Sequence, residues 1–190
     1  MRLLVALSLA PSQKRFLSAL RTGIPAASWV SPSHYHVPLR PVGDVESRHV
    51  AEDIDHALAG VSFSPFNLQL MGVSISDASG SRPPSRNLRI DVVPCDGLIQ
   101  LHVRIESALR QAGLPPDKRR FRPHVTIAQL PEPFDAEPWV RVHNLLRSEE
   151  TLVDHFTLLE VFRGPDGPTH EKRATYGSAF DHVYPEGLDD

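Results

Sequence analysis

The stretch FRPHVTIAQL at 121–130 runs a histidine and a threonine along an alternating polar–apolar pattern, and HYHVPLRPVG at 34–43 is a worn version of it. Successive side chains of a strand point to opposite faces. His124 and Thr126 therefore share one face, and Val125 and Ile127 take the other. In the upstream stretch His36 and Pro38 share a face against Val37 and Leu39. The apolar half of each strand suits a core, and the polar half then fronts a cleft or solvent. The two histidines stand 88 positions apart (124 − 36) in a chain of 190 residues, so each half supplies one such strand.

The segments around these strands read as alternating helices and strand pairs. Residues 3–9 form an apolar run that suits a buried strand. In PSQKRFLSALRTG, Phe16, Leu17 and Leu20 fall on one helical face, and Gly23 signals a stop. In VESRHVAEDIDHALAG, Val50, Ile54, Ala57 and Leu58 have helical spacing and Gly60 follows. FNLQLMGVSIS alternates, with Leu68, Leu70 and Gly72 on one face and Gln69, Met71 and Val73 on the other. NLRIDVV sets Leu88, Ile90 and Val92 against Arg89 and Asp91. SDASGSRPPS between them is a loop by composition. In GLIQLHVRIESALRQAG, Leu98, Leu101, Ile105, Ala108 and Leu109 make a helical stripe that Gly113 closes. EPWVRVHNLLRS is a short helix with Pro138 in its first turn. HFTLLEVF and ATYGSAF read as closing strands. The order β-α-β-α-β-β-α-β-α-β-β is not simple β-α-β alternation. It predicts an α+β fold, mainly antiparallel sheet with helices outside, in which residues 1–190 form a single two-lobed domain.

Composition narrows the function. Hydrophobic residues make up 41% and charged residues 23%, an ordinary globular balance, and the formal charge is −3. Bulk charge gives no sign of a general nucleic-acid binder, so an anion site must be a local basic patch. The one cysteine, Cys95, rules out an internal disulfide framework or a cysteine metal cluster and favours a reducing, cytoplasmic setting. MRLLVALSLAPS has the ingredients of a short signal peptide, but the same run reads more simply as the first strand. No stretch approaches the ~18 apolar residues of a membrane span.

Two imidazoles brought together suit general acid–base chemistry. Imidazole titrates near neutral pH, so one ring can take a proton from water while the other gives one to a leaving alkoxide. Each such transfer is typically worth ~10²–10⁴ in rate. The Thr126 hydroxyl, on the face of His124, can donate to an anionic oxygen. A His-x-Thr pair alone is a weak signal among ten histidines; two such strands in separate halves carry more.

HVTI at 124–127 and HVPL at 36–39 make the sequence resemble the two-histidine (2H) phosphoesterases. More specifically, it resembles the bacterial and archaeal RNA 2′,3′-cyclic phosphodiesterases, historically called 2′-5′ RNA ligases. Their signature is two His-x-Thr-x tetrads. RLLVAL, WVSPSHYHVPLRPVGDV, ALRQAGLPPDKRRFRPHVTIA and, more loosely, GPDGPTHEKRATYGSAF extend the likeness over nearly the whole chain. The resemblance implies two α+β lobes related by a pseudo-twofold, with one tetrad strand from each facing a central cleft. It implies opening of a 2′,3′-cyclic phosphate at an RNA or nucleotide end to a 2′-phosphate, with no metal and no organic cofactor. It assigns His36 to protonate the departing 3′ oxygen, His124 to activate water and Thr126 to hold a phosphate oxygen.

The chain departs from that pattern at Pro38, which has neither hydroxyl nor N–H. Losing one bond to a charged acceptor costs about 1.5–3 kcal/mol. Proline also predicts an edge or bulged position. Arg40 shares the strand face of His36 by parity and is a candidate for the missing phosphate contact. Where the family often has an arginine after the second tetrad, this chain has Gln129. Arg122, with Lys118, Arg119 and Arg120, offers a basic approach instead. Phe121 suits a core or a stacked base. His34-x-His36 has the look of a metal pair but lacks a matched third ligand, and His102, His143 and His155 read as structural or surface residues. The alternative functions are a 2H phosphoesterase for another cyclic or 2′-5′-linked substrate, and a non-catalytic RNA-end binding protein.

Overall fold

The computed structural model describes residues 1–77, 85–131, 134–164 and 167–178. Its elements are β1 (Arg2–Ser8), α1 (Pro11–Ala19), β2 (Ser28–Trp29), a 3-10 turn (Pro32–His34), β3 (His36–Asp44), α2 (Arg48–Ala59), β4 (Phe66–Leu68), β5 (Leu70–Asp77), β6 (Ser85–Val92), α3 (Asp96–Gln111), β7 (His124–Pro131), α4 (Glu137–His143), β8 (Thr151–Val153), β9 (His155–Gly164) and β10 (Gly167–Gly177). They make an α+β fold, as the element order predicts. Two four-stranded antiparallel sheets have the orders β10-β9-β1-β3 and β2-β7-β6-β5, and β4 pairs with β8. One histidine-headed strand lies in each large sheet, and β3 packs against β7 where the two sheets meet.

One core joins the sheets. It takes Leu3, Val5, Leu7, Val37 and Leu158 from the first and Leu88, Ile90, Val125, Ile127 and Leu130 from the second. Leu17 of α1, Ile54 and Leu58 of α2, and Leu98, Leu101, Ile105 and Leu109 of α3 complete it. Each such side chain removed from water contributes roughly 1.5–3 kcal/mol, which is why the apolar faces of these strands and helices fix the arrangement. The opposite face of the first sheet carries a smaller cluster of Leu4, Ala6 and Leu159, with Val161 against it. His36 pairs with Ser8 and Pro38 with Ala6, so both share that second face. The polar half of β3 thus fronts the cleft.

Several local expectations shift. FNLQLMGVSIS divides between β4 and β5, which belong to different sheets. Gly72, with φ of 81°, sits at a register shift between Leu70 and Val73. The shift turns Val73 back to the buried face beside Leu70, against strict alternation. Val50 is 41% exposed, outside the buried stripe of α2. The last strand begins earlier than ATYGSAF, at Gly167, and the middle of SDASGSRPPS falls outside the described residues. Pro38 lies on the edge strand of its sheet and beside a bulge, the settings in which a strand tolerates proline.

Candidate functional site

The two histidines are held alike. His36 is the first residue of β3, and its Nδ1 bonds the His34 carbonyl at 2.7 Å. His124 is the first residue of β7, and its Nδ1 bonds the Arg122 carbonyl at 2.7 Å. A carbonyl oxygen only accepts, so each Nδ1 carries the proton and donates it. Nε2 of each ring is left as the atom that can take or give a proton. The rings are close enough that charge on His124 disfavours charge on His36.

Around them the second sheet presents a polar face built by register. Asp91 pairs with His124, Arg89 with Thr126, and Asn87 with Gln129 across β6 and β7. A shift between Leu88 and Arg89 on β6, opposite Thr126–Ala128, lets Thr126 and Gln129 face the same way although they are three positions apart. Ser74 of β5 lies beside Arg89 and donates its hydroxyl to Asp91 at 2.9 Å. Val125 and Ile127 are fully buried on the other side, as the alternation predicts.

Two cavities open along this face. One, of about 500 Å³, has walls from both sheets: Trp29, His36, Pro38, Asn87, Thr126 and His170 among its lining. The other, of about 480 Å³, contains His124 with Ser74, Arg89, Asp91, Arg120 and Arg122. Thr126 and His124 are neighbours on one face of β7, so the two cavities flank the histidine pair.

His170 reaches the first cavity from β10. Beyond Glu160 the β9–β10 hairpin no longer pairs with β1, and Pro168, Thr169 and His170 of its returning strand line the first cavity. The His170 ring lies 4.5 Å from that of His36 and 5.7 Å from that of His34. Burial, then the neighbouring His170, pushes His36 down to about 4, against the pull of its carbonyl bond. Burial also lowers His124, with its carbonyl bond opposing; nearby Arg89 lowers it further and Asp91 raises it. Both rings therefore favour the neutral form near pH 7.

The expectation for Arg40 is overturned. β3 carries a bulge at Leu39, since Ala6 pairs with Pro38 and Val5 with Arg40. The extra residue reverses parity, and Arg40 points away from Pro38 into the interior, 5% exposed. Its guanidinium binds Glu106 Oε2 at 2.5 Å, the Pro115 carbonyl at 2.5 Å and the Pro41 carbonyl. Arg40 is a structural ion pair, not a phosphate ligand. Within the basic connector, Arg119 is taken by Asp117 at 2.8 Å, a bond that holds the Asp117 carboxyl at about 2. Arg120 and Arg122 remain exposed and line the second cavity. Phe121 stacks on His102 at 3.8 Å, with the planes 4° apart. His143 bonds the Trp139 carbonyl and His155 bonds Asp154. Among the described residues no group of three or more His, Cys, Asp or Glu side chains is placed to hold a metal ion.

Arg89, Asp91, Asn87, Trp29 and His170 are cleft residues that the motif reading passed over. Arg89 and Asp91 carried a signal, the polar phase of NLRIDVV. Trp29 and His170 lie in stretches that carry the family resemblance, but only folding brings them to the cleft.

Comparison with known proteins agrees with this geometry. A family model described as the 2′-5′ RNA ligase superfamily matches residues 10–165. The chain is 32% identical over 117 residues to the RNA 2′,3′-cyclic phosphodiesterase of Aeropyrum pernix, a stretch covering 60% of this chain and 62% of that protein. With the protein of the same name from Geobacillus stearothermophilus it shares 31% over 128 residues, or 65% of this chain and 40% of the relative. The chain thus matches less than two thirds of the length of these relatives. With that of Bacillus subtilis strain 168 it shares 27% over 137 residues, 70% of this chain and 71% of the relative. Among solved structures, TT0787 of Thermus thermophilus superposes with a TM-score of 0.72 at 19% identity, covering 96% of this chain and all of the other. E. coli LigT complexed with 3′-AMP superposes at 0.70 and 20% identity, over 94% and 98%. At such identities the likeness is one of fold, the two-lobed α+β frame with a central cleft. A family model spanning most of the sequence, on a frame that sets one histidine strand of each lobe against the other, places this chain in the 2′-5′ RNA ligase superfamily.

Proposed function

We propose that the protein hydrolyses 2′,3′-cyclic phosphate ends of RNA or small nucleotides to 2′-phosphates, using His36 and His124 as a general acid–base pair. The observation that carries this reading is the matched pair of Nδ1–carbonyl bonds, 2.7 Å each, which leaves Nε2 of both rings for proton exchange. Three relatives carry the name RNA 2′,3′-cyclic phosphodiesterase, which supports the choice of substrate.

In this scheme His124 Nε2 takes a proton from water as the water oxygen bonds to phosphorus. The P–O3′ bond breaks, and His36 Nε2–H delivers a proton to O3′, leaving a 3′-hydroxyl and a 2′-phosphate. Thr126 donates its hydroxyl to a non-bridging oxygen. Arg122 lies on the approach and attracts the phosphodiester backbone. Trp29, Pro38 and Pro168 give the first cavity apolar walls for the nucleoside, with the Asn87 and Gln129 amides beside them. No metal and no organic cofactor enters the scheme. The substrate phosphate adds negative charge beside both rings, so its binding raises the imidazole pKa values and lets one ring be charged. A cytoplasmic setting goes with an RNA substrate and the lone Cys95.

The test is a pH–rate profile on 2′,3′-cyclic nucleotides. A bell is expected, with its limbs at higher pH for kcat than for kcat/KM, because only the complex holds the phosphate. A flat profile from pH 4 to 9 would count against the pair. Pro38 favours one second reading, a substrate shifted to another cyclic or 2′-5′-linked phosphodiester. Faster turnover of such a compound in a side-by-side panel would select it.

A further inference from the structure

We propose that Arg89 is the residue that grips the substrate phosphate, standing in for the donor that Pro38 lacks and the arginine that Gln129 replaces. This rests on the phosphodiesterase reading of the site.

Charge makes the first argument. A cyclic phosphodiester carries one negative charge, and the transition state of its hydrolysis carries more, so a fixed cation beside phosphorus is worth most during the reaction. The described residues lining the first cavity include no lysine or arginine. Arg40, the upstream candidate, is committed to Glu106. The cations that remain near the histidines, among the described residues, are Arg89, Arg120 and Arg122. Arg120 and Arg122 sit exposed on a connector, whereas Arg89 is half-buried on a strand, its position fixed by neighbours on both sides.

Geometry makes the second. Arg89 lies directly across from Thr126, and residues opposed in an antiparallel pair have Cβ atoms about 4.5–5.5 Å apart. It is two residues from Asp91, which opposes His124. One oxygen acceptor can therefore meet the Thr126 hydroxyl and the guanidinium together, next to the His124 ring. The third argument is an unmet need. The Arg89 Nε is buried with no hydrogen-bond partner. Asp91, the nearby carboxylate, accepts from Ser74 rather than from Arg89. A buried N–H without an acceptor is costly, and a small turn of the side chain that brings the guanidinium onto a phosphate oxygen meets that need.

The experiment compares wild type with Arg89→Ala, Arg89→Gln and Arg89→Lys on a 2′,3′-cyclic nucleotide, with a thermal melt of each. Arg89→Ala and Arg89→Gln are expected to lower kcat/KM by about 100-fold, with Arg89→Lys in between. Added guanidinium ion should restore part of the activity of Arg89→Ala and none of that of His124→Ala. A loss within threefold, or a larger loss that neither guanidinium nor lysine recovers, overturns the proposal. Should wild type open no cyclic phosphate, the phosphodiesterase reading fails by itself. Binding of 2′-AMP then decides the role of Arg89: at least tenfold weaker binding in Arg89→Gln sustains it, and smaller changes overturn it.

Discussion

Arg40 and Arg89 are both strand arginines near the cleft, and the protein uses them in opposite ways. Arg40 is buried and bonded through all three guanidinium nitrogens, to Glu106 and to two carbonyls. Glu106 also accepts the Asp117 N–H at 3.0 Å, so one carboxylate ties β3 to α3 and to the connector that leads into His124. Breaking a buried ion pair on one side typically costs about 3–5 kcal/mol, because the partner is left charged and unpaired. Arg40→Ala is therefore expected to lower Tm by roughly 6–20 °C, and a double variant Arg40→Met/Glu106→Leu to recover much of the loss. Thermal melts check this. At a temperature where Arg40→Ala is folded, its KM for a cyclic nucleotide should stay within threefold of wild type. A tenfold rise in KM with unchanged Tm would return Arg40 to the cleft.

At the level of elements, alternation was readable and its interruptions were not. Period-2 spacing put His124 and Thr126 opposite Val125 and Ile127, and the core bears that out. It failed for Arg40 and for Val73, each just past an irregularity at Leu39 or Gly72. Such a bulge inserts one residue on one strand only, so its place depends on the partner strand and leaves little mark in local sequence. Helices were legible through their apolar stripes, except that Val50, in the first turn of α2, is exposed. The β9–β10 hairpin lies beyond local reading. Its returning strand brings His170 to His36 across 134 positions (170 − 36), which only the folded chain reveals. Removing that ring takes away burial and a neighbouring positive charge, both of which hold His36 low. In His170→Ala the His36 pKa should therefore rise from about 4 toward the ordinary histidine value of 6.5. A histidine NMR titration reads this directly, and an unmoved His36 would deny the hairpin its influence.

For the whole molecule, the histidine-rich cleft sets a pH limit on stability. His36 has a pKa of about 4 in the fold against 6.5 as a free side chain. Above pH 6.5 it is neutral in both folded and unfolded chains and costs nothing. As pH falls from 6.5 to 4 the unfolded chain takes up the proton first, so stability is lost across that window and the loss is complete below it. At about 1.4 kcal/mol per pKa unit, His36 alone accounts for about 3 kcal/mol. His102, His124 and His170 are lowered by burial and act in the same direction. Urea unfolding at pH 7 and at pH 4.5 should show the drop, and His36→Phe should remove part of it; equal stability at both values would contradict this electrostatic picture. The two-lobed plan was legible because each lobe repeats one device, a histidine at the head of a strand whose other face is apolar.

The central claim is that these two devices meet at one phosphorus atom. The direct measurement is to incubate the full chain, with a chelator present, with an RNA oligonucleotide ending in a 2′,3′-cyclic phosphate, and to identify the product by mass and phosphorus NMR. Ring opening to the 2′-phosphate by wild type, slowed at least ~10²-fold in both His36→Ala and His124→Ala, is the predicted result. No opening by wild type, or undiminished opening by either variant, would contradict the account.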